Sequence, residues 1–350
     1  MLFPDNFVEK SVTFNDLNDG VQSATKVFTL HYTAPADTTA SKKRVLVLLH
    51  GYPQNHTLYH SFIHELSVSG ALNEWDVVIP DIPGYGKSSK LPSADGSHKA
   101  NSKRAIAADI VSLVDTLFGN QQKFVIAGHD RGARVAYRLA KDHRERVMGT
   151  CIMEIVPTRV VFDREFVYFA NSACLTGETL PDMNSSNGHR TTFGTYHWIF
   201  LALPPPLPET LISASSDFYY AHTIQSWTGP RFQGRYNPIA LASWIEQYRN
   251  PAVLTGALED YRAGATIDLE DDREDEQNGH AAVDCSLLVL HSVQFGRKFD
   301  VKGIWEKLGA PGKVTVKSVG DEDVGHFIPI EAAQEVVAEL IPWLNSLSLL

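Results

Sequence analysis

The sequence predicts an α/β fold: a mostly parallel sheet flanked by helices, with a helical cap inserted into it. Three observations carry this expectation. Short β-branched apolar runs recur with helical stretches between them. The rhythm breaks once, between about Pro157 and Ala252. One apolar run ends in a glycine-bounded turn that leads directly into a helical stretch. The expected division is a core of residues 1–156 and 253–350 and a cap of residues 157–252.

The strands follow from the apolar runs. Val27–Tyr32 reads as an early strand. Arg44–His50, Trp75–Pro80, Lys123–Gly128, Val147–Ile155 and Ser286–Ser292 are nearly continuous apolar stretches, and Val314–Val319 alternates. Continuous apolar strands separated by helices belong to parallel sheets covered on both faces. Ala105–Phe118, Ala133–Asp142 and Ala332–Leu340 carry helical periodicity. Within the cap, Leu203-Pro204-Pro205-Pro206-Leu207-Pro208 forbids a long helix at that point. The acidic run from Asp268 to Glu276 reads as a solvated loop.

Composition sets bounds. The chain has 350 residues, enough for one large α/β domain with an insertion. A formal net charge of −10 argues against general nucleic-acid binding, though not against a small anionic ligand met by local arginines. Cys151, Cys174 and Cys285 are odd in number and widely spaced, which fits neither a zinc site nor a disulfide framework. No apolar run has the length of a membrane span, and Met1-Leu2-Phe3-Pro4-Asp5 does not open a signal peptide. The expectation is a cytoplasmic protein with a small-molecule substrate and no membrane or nucleic-acid partner; a homodimer is left open.

Gly128-His129-Asp130-Arg131-Gly132 has the form of a nucleophile elbow. Esterases place serine at its centre; here the residue is Asp130. A carboxylate is a poor nucleophile toward esters and amides, because the mixed anhydride reverts. It can displace a leaving group from saturated carbon and form an ester that water then cleaves. His50-Gly51-Tyr52-Pro53-Gln54, directly after an apolar strand, supplies an oxyanion loop. Pro53 lacks an N–H, so the expected donors are the backbone N–H groups of Tyr52 and Arg131. His326, in the loop beyond the last strand, is the candidate base for the water. Glu154, among apolar residues at the end of the strand that follows the elbow helix, is the candidate acid that pairs with His326. Asp321 and Asp323 are rivals in what reads as an exposed acidic loop, and His129 reads as a packing residue of the elbow. This chemistry implies no cofactor and no metal.

From about Arg44 to Trp343 the chain resembles the α/β-hydrolase superfamily, and within it the fluoroacetate (haloacetate) dehalogenases. Gly128-His129-Asp130-Arg131-Gly132-Ala133-Arg134 resembles that family's elbow. The resemblance implies that Arg131 and Arg134 hold a substrate carboxylate, a task suited to planar guanidinium groups. Tyr196-His197-Trp198 resembles the family's His-Trp pair, and Asp260-Tyr261-Arg262-Ala263-Gly264 its later tyrosine segment. The resemblance thereby implies that His197, Trp198 and Tyr261 stabilise the departing halide. The chain departs from the family in carrying Glu154 where aspartate is usual, Pro83 where arginine is frequent, and a longer stretch over residues 171–195.

Epoxide hydrolases share the elbow aspartate and the His–acid pair, but use two cap tyrosines to protonate the epoxide. Tyr261 could be one of them. The other is expected near Ile199-Phe200, where Trp198 and Ile199 stand, with Tyr196 as a substitute. That mismatch and the arginine pair favour dehalogenation. A tailoring hydrolase acting on a larger natural product is a further alternative, and a non-catalytic binding protein on the same scaffold the least favoured.

Overall fold

The computed structural model describes residues 2–18, 21–35, 44–162, 189–280 and 282–347, with side chains omitted at 15–18, 21–23 and 189–195. Its frame is an eight-stranded sheet in the order β1-β2-β4-β3-β5-β6-β7-β8. The strands are β1 (Phe7–Asn18), β2 (Val21–Tyr32), β3 (Arg44–Leu49), β4 (Trp75–Pro80), β5 (Phe124–His129), β6 (Val147–Met153), β7 (Ser286–Ser292) and β8 (Val314–Val319). β1 pairs antiparallel with β2 and β2 antiparallel with β4; every other pair is parallel. The sequence reading missed β1 and the first half of β2. Both lie at a sheet edge with partly exposed residues, where the apolar signal is diluted by polar ones.

Before the insertion the helices are α1 (His60–Val68), α2 (Lys103–Phe118) and α3 (Arg131–Asp142). Between β6 and β7, residues 158–162 are helical, followed by α4 (His189–Ala202), α5 (Leu207–Ser213), α6 (Ser216–Trp227), α7 (Pro238–Glu246), α8 (Pro251–Ala265) and α9 (Ile267–Gln277). The chain closes with α10 (Val293–Lys298), α11 (Val301–Glu306), α12 (Ile328–Glu331) and α13 (Ala333–Ser346). α4 stops before the proline run and α5 starts on its last two residues, where Pro208 sits in the first turn and needs no intrahelical N–H partner. Most of the longer stretch expected at residues 171–195, from 171 to 188, lies outside the described residues.

Alternation along the strands divides the core into two layers. Val45, Val47, Leu49 and Ile126 pack with α2 and α3, while Leu46, Leu48, Val125 and Ala127 pack with α1 and α13. Burial on both faces explains why these strands read as unbroken apolar runs.

The acidic run is not a loop. It forms α9, with Asp268, Asp271 and Asp275 buried. These residues recur on one helical face and meet cations of α2 and α3. Lys103 pairs with Asp268 at 3.0 Å, Arg104 with Asp271 at 2.7 Å, and both Arg138 and Lys141 with Asp275 at 2.5 Å. Pairing of this kind offsets the cost of burying charge. Among the described residues, no helix is long and apolar enough to cross a membrane.

Parallel registration positions the site. β3, β5, β6 and β7 lie side by side with Leu49 opposite Gly128, His129 opposite Met153, and Met153 opposite Leu290. The turns after these strands therefore emerge together at the carboxyl edge of the sheet, as in open parallel sheets generally.

Candidate active site

Asp130 occupies the turn between β5 and α3 with φ +49°, a left-handed conformation that side-chain-bearing residues seldom adopt. Two glycines make the turn possible. A Cβ on Gly128 would strike the Gly132 carbonyl, and one on Gly132 would strike the carbonyls of Leu49 and His50. Strand, turn and helix are thus packed backbone to backbone, with the aspartate held above the sheet edge.

The Tyr52 N–H donates to Asp130 Oδ1 at 2.9 Å. Arg131, the first residue of α3, has an N–H with no acceptor within the helix. These are the two donors expected of an oxyanion loop. His326 Nε2 stands 3.7 Å from Asp130 Oδ2, a charge contact longer than a hydrogen bond. Burial pushes the Asp130 carboxyl upward. His326, His129 and Arg131 together outweigh it and hold the group well below the usual carboxylate range. Asp130 is therefore ionised at neutral pH.

The His326 loop is tied at several points. Its N–H donates to the Trp227 carbonyl at 2.9 Å, and its carbonyl accepts from His129 Nε2 at 2.8 Å. His129 is neutral, its pKa pushed down to about 3 by burial and by the neighbouring His326. It packs the elbow, as expected from the sequence, and its bond to the His326 carbonyl also positions the loop. Glu331 accepts from the N–H groups of Gly325 (2.7 Å), Phe327 (3.2 Å) and Gly229 (2.9 Å), which joins the loop to the segment after α6.

Glu154 lies just beyond β6, also left-handed, with φ +61°. It lines the same cavity as His326 and Asp130. The geometry departs from the expected direct pair: both carboxylate oxygens take short hydrogen bonds from Ser292. The Ser292 hydroxyl donates at 2.6 Å and its N–H at 2.7 Å. The added methylene of glutamate carries the carboxylate to the end of β7, leaving its relation to His326 one of charge rather than a hydrogen bond. Burial raises the Glu154 pKa to about 7, against the lowering effects of His326 and Ser292. The rival carboxylates are exposed: Asp321 pairs with Arg231, and neither Asp321 nor Asp323 lines the cavity.

The two arginines differ. Arg131 is engaged by Asp260, its Nε donating to Oδ2 at 2.5 Å and its Nη2 to the Asp260 carbonyl at 2.7 Å; only Nη1 is buried without a partner. Burial opposes its charge, but Asp260 outweighs burial and raises its pKa. Arg134 lines the cavity, its Nη1 donating to the Val156 carbonyl at 2.9 Å and the Thr158 hydroxyl at 3.0 Å. Among the described residues no carboxylate forms an ion pair with it. Burial and the neighbouring Arg131 lower its pKa to about 10. The expected carboxylate clamp therefore consists of one cavity-facing cation and one cation already neutralised.

His197 and Trp198 line the cavity. Tyr261 is buried beside them, with its ring 4.2 Å from the Arg131 guanidinium and 5.9 Å from the Trp198 ring. Tyr196 and Ile199 point outward, 49% and 47% exposed, so neither supplies a second cavity tyrosine. Among the described residues no group of three His, Cys, Asp or Glu side chains could hold a metal.

A family model for the alpha/beta hydrolase fold matches residues 44–273. The chain belongs to this family. A fluoroacetate dehalogenase from Burkholderia sp is 33% identical to this hydrolase over 267 residues, spanning 74% of the chain and 75% of the relative. A soluble epoxide hydrolase from Corynebacterium sp. (strain C12) is 24% identical over 313 residues, spanning 89% and 91%. The crystal structure of a provisionally assigned α/β hydrolase from Nostoc sp PCC 7120 superposes with a TM-score of 0.77 at 31% identity, covering 99% of this chain and 100% of that one.

Sequence reasoning missed several residues of the hydrolase site. Trp227 lines the cavity between His197 (ring centroids 4.6 Å) and His326 (5.6 Å). Asp260 holds Arg131 and also accepts from the Tyr85 hydroxyl at 2.9 Å. Ser292 and Glu331 position Glu154 and the His326 loop. Only Asp260 carried a signal, as a carboxylate next to the tyrosine already singled out; the others become visible when strand ends are brought together.

Proposed function

We propose that this hydrolase displaces a halide from the saturated carbon of a halogenated carboxylic acid, through an ester on Asp130. The observation that carries the reading is Arg134: a buried cation with no carboxylate partner among the described residues, in one cavity with an ionised aspartate. A buried unpaired charge is costly. An anionic substrate offsets that cost and is held where Asp130 can reach it.

In the first step an Asp130 oxygen attacks the carbon bearing the halogen. The new C–O bond forms as the C–X bond breaks, and the halide leaves with the bonding pair. His197, Trp198 and Tyr261 are the candidate groups around the departing halide. In the second step His326 takes a proton from water, whose oxygen adds to the ester carbonyl. The N–H groups of Tyr52 and Arg131 face the resulting oxyanion. Collapse releases the hydroxy acid and restores Asp130, while ionised Glu154 stabilises the charge on His326. Residues 157–252 act as the cap over this site.

The epoxide reading draws on the Corynebacterium relative and on Tyr261, whose burial beside Asp130 would suit an acid for a ring-opening alkoxide. A His326→Ala variant separates the two. With chloroacetate or fluoroacetate, intact mass should increase by the acid's CH2COO unit on Asp130, with release of one halide. An adduct with styrene oxide alone would reassign the protein to epoxide opening.

A further inference from the structure

The cavity around Asp130 has a volume of about 300 Å³. A water molecule occupies about 30 Å³ in the liquid, so the space matches roughly ten waters, and a five-heavy-atom haloacetate fills at most about half of it. Pockets of about 300 Å³ and above hold drug-sized ligands. Among the described residues the rest of the lining holds Ser226, Thr228, Gln294 and Lys298 together with an apolar side. Val156, Val161, Phe295 and Phe299 line the same cavity, and none carries a side-chain group that could take part in displacement or hydrolysis. Val156 and Val161 are 1% and 6% exposed. Phe295 and Phe299 lie with ring centroids 4.9 Å apart on the first turns after Ser292. α10 is fixed there because the Ser292 hydroxyl also accepts from the Phe295 N–H at 3.1 Å. The valines are nearly covered already, so the apolar surface open to a ligand is mainly that of half-buried Phe295 and Phe299, and covering it with an apolar group is favourable.

We infer that the substrate is a 2-halo acid carrying an apolar, aryl-sized group on the reacting carbon, seated against Val156, Val161, Phe295 and Phe299. This rests on the proposed displacement at Asp130 and adds the size and character of the non-reacting part. The reaction remains balanced as above: the secondary carbon exchanges its halide for the Asp130 oxygen, and water returns a 2-hydroxy acid. Val161 and Phe295 become the specificity-determining positions.

Two acids with the same type of reacting centre isolate the effect: 2-bromopropanoate and 2-bromo-4-phenylbutanoate. One methylene in an apolar pocket changes kcat/KM by about 10–200-fold, so a seated phenylethyl group should favour the larger acid by at least about tenfold. Val161→Phe, which fills the space, should shrink that ratio toward one. A ratio at or below one in the unmodified protein overturns the inference, whether or not the variant folds. The His326→Ala mass experiment keeps this separate from the reaction itself. An ester on Asp130 with equal preference for both acids would sink the size argument and leave the displacement standing. Absence of any ester with either acid would remove both.

Discussion

Ser292 gives both of its donors to Glu154, the hydroxyl at 2.6 Å and the backbone N–H at 2.7 Å. The carboxylate is thereby anchored to the end of β7, although it arises from the end of β6. Both bonds favour the ionised form, against a burial effect that raises the pKa to about 7. On the proposed mechanism ester hydrolysis needs Glu154 charged, so turnover should rise with pH through about 7. In Ser292→Ala one of these bonds is lost, and the rise should move to higher pH. A pH–rate profile in steady state, compared with the pH dependence of the initial halide burst, checks this. An unmoved profile would mean that Glu154 does not govern the second step.

The same group makes a stability prediction of opposite sense. Its pKa is raised from 4.5 to about 7 in the fold. A raised carboxyl contributes stability that is fully present below its unfolded pKa and lost as pH rises through the folded one. The loss is on the order of 3 kcal/mol between about pH 4.5 and 7. Glu154→Gln cannot ionise and does not incur it. The melting temperature of Glu154→Gln relative to the unmodified protein should therefore increase from pH 5 to pH 8, while turnover falls. Parallel melting curves at the two pH values decide the matter.

Arg134→Met should separate stability from binding. Among the described residues no carboxylate pairs with Arg134, so an apolar side chain of similar length leaves no buried counter-charge behind and should be neutral or stabilising. Loss of charged hydrogen bonds to the substrate should raise KM by roughly 10–150-fold, equivalent to about 1.5–3 kcal/mol. Because the Arg134 pKa is lowered to about 10, KM in the unmodified protein should also rise as pH approaches that value. A variant that loses stability but keeps its KM would refute the assignment.

Asp260→Asn should be destabilising for the converse reason. Asp260 pairs with both Arg131 and Lys103, each at 2.5 Å. Removing its charge leaves Arg131 without its carboxylate partner, and breaking a buried pair typically costs about 3–5 kcal/mol. Urea unfolding gives the comparison, and a midpoint shift of only a few tenths of a molar would contradict it.

Gly132→Ala tests the elbow itself. The added Cβ would meet the carbonyls of Leu49 and His50, which are backbone atoms of the adjoining strand end and cannot rotate away. Little or no folded protein is expected from this variant, and a soluble, active product would show that the turn relaxes more than its packing implies.

The sheet was legible because β3 to β7 are buried on both faces and the edge strand β8 alternates: β4, β7 and β8 have the limits read from sequence, and β3, β5 and β6 fall within one or two residues. The site was legible as a set of strand ends, since Asp130, Glu154, Tyr52 and His326 each follow an apolar run. Two things were not. The acidic run reads as solvent-facing until its partners are known. The spacing of Asp268, Asp271 and Asp275 was the available clue, and the matching cations Arg138 and Lys141 lie more than a hundred residues earlier. The bond from Ser292 to Glu154 depends on the lateral order of β6 and β7, which periodicity along a single strand does not encode.

The tethering of His326 has a consequence for synthesis. Asp130 is made early, whereas the imidazole, its Glu331 anchor and the closing helix all come from the last stretch of the chain. A chain released before Gly325 would carry Asp130 without His326 and without the Glu331 carboxylate that ties its loop to Gly229. The two halves of the proposed reaction therefore become available only when the whole sheet edge has been assembled.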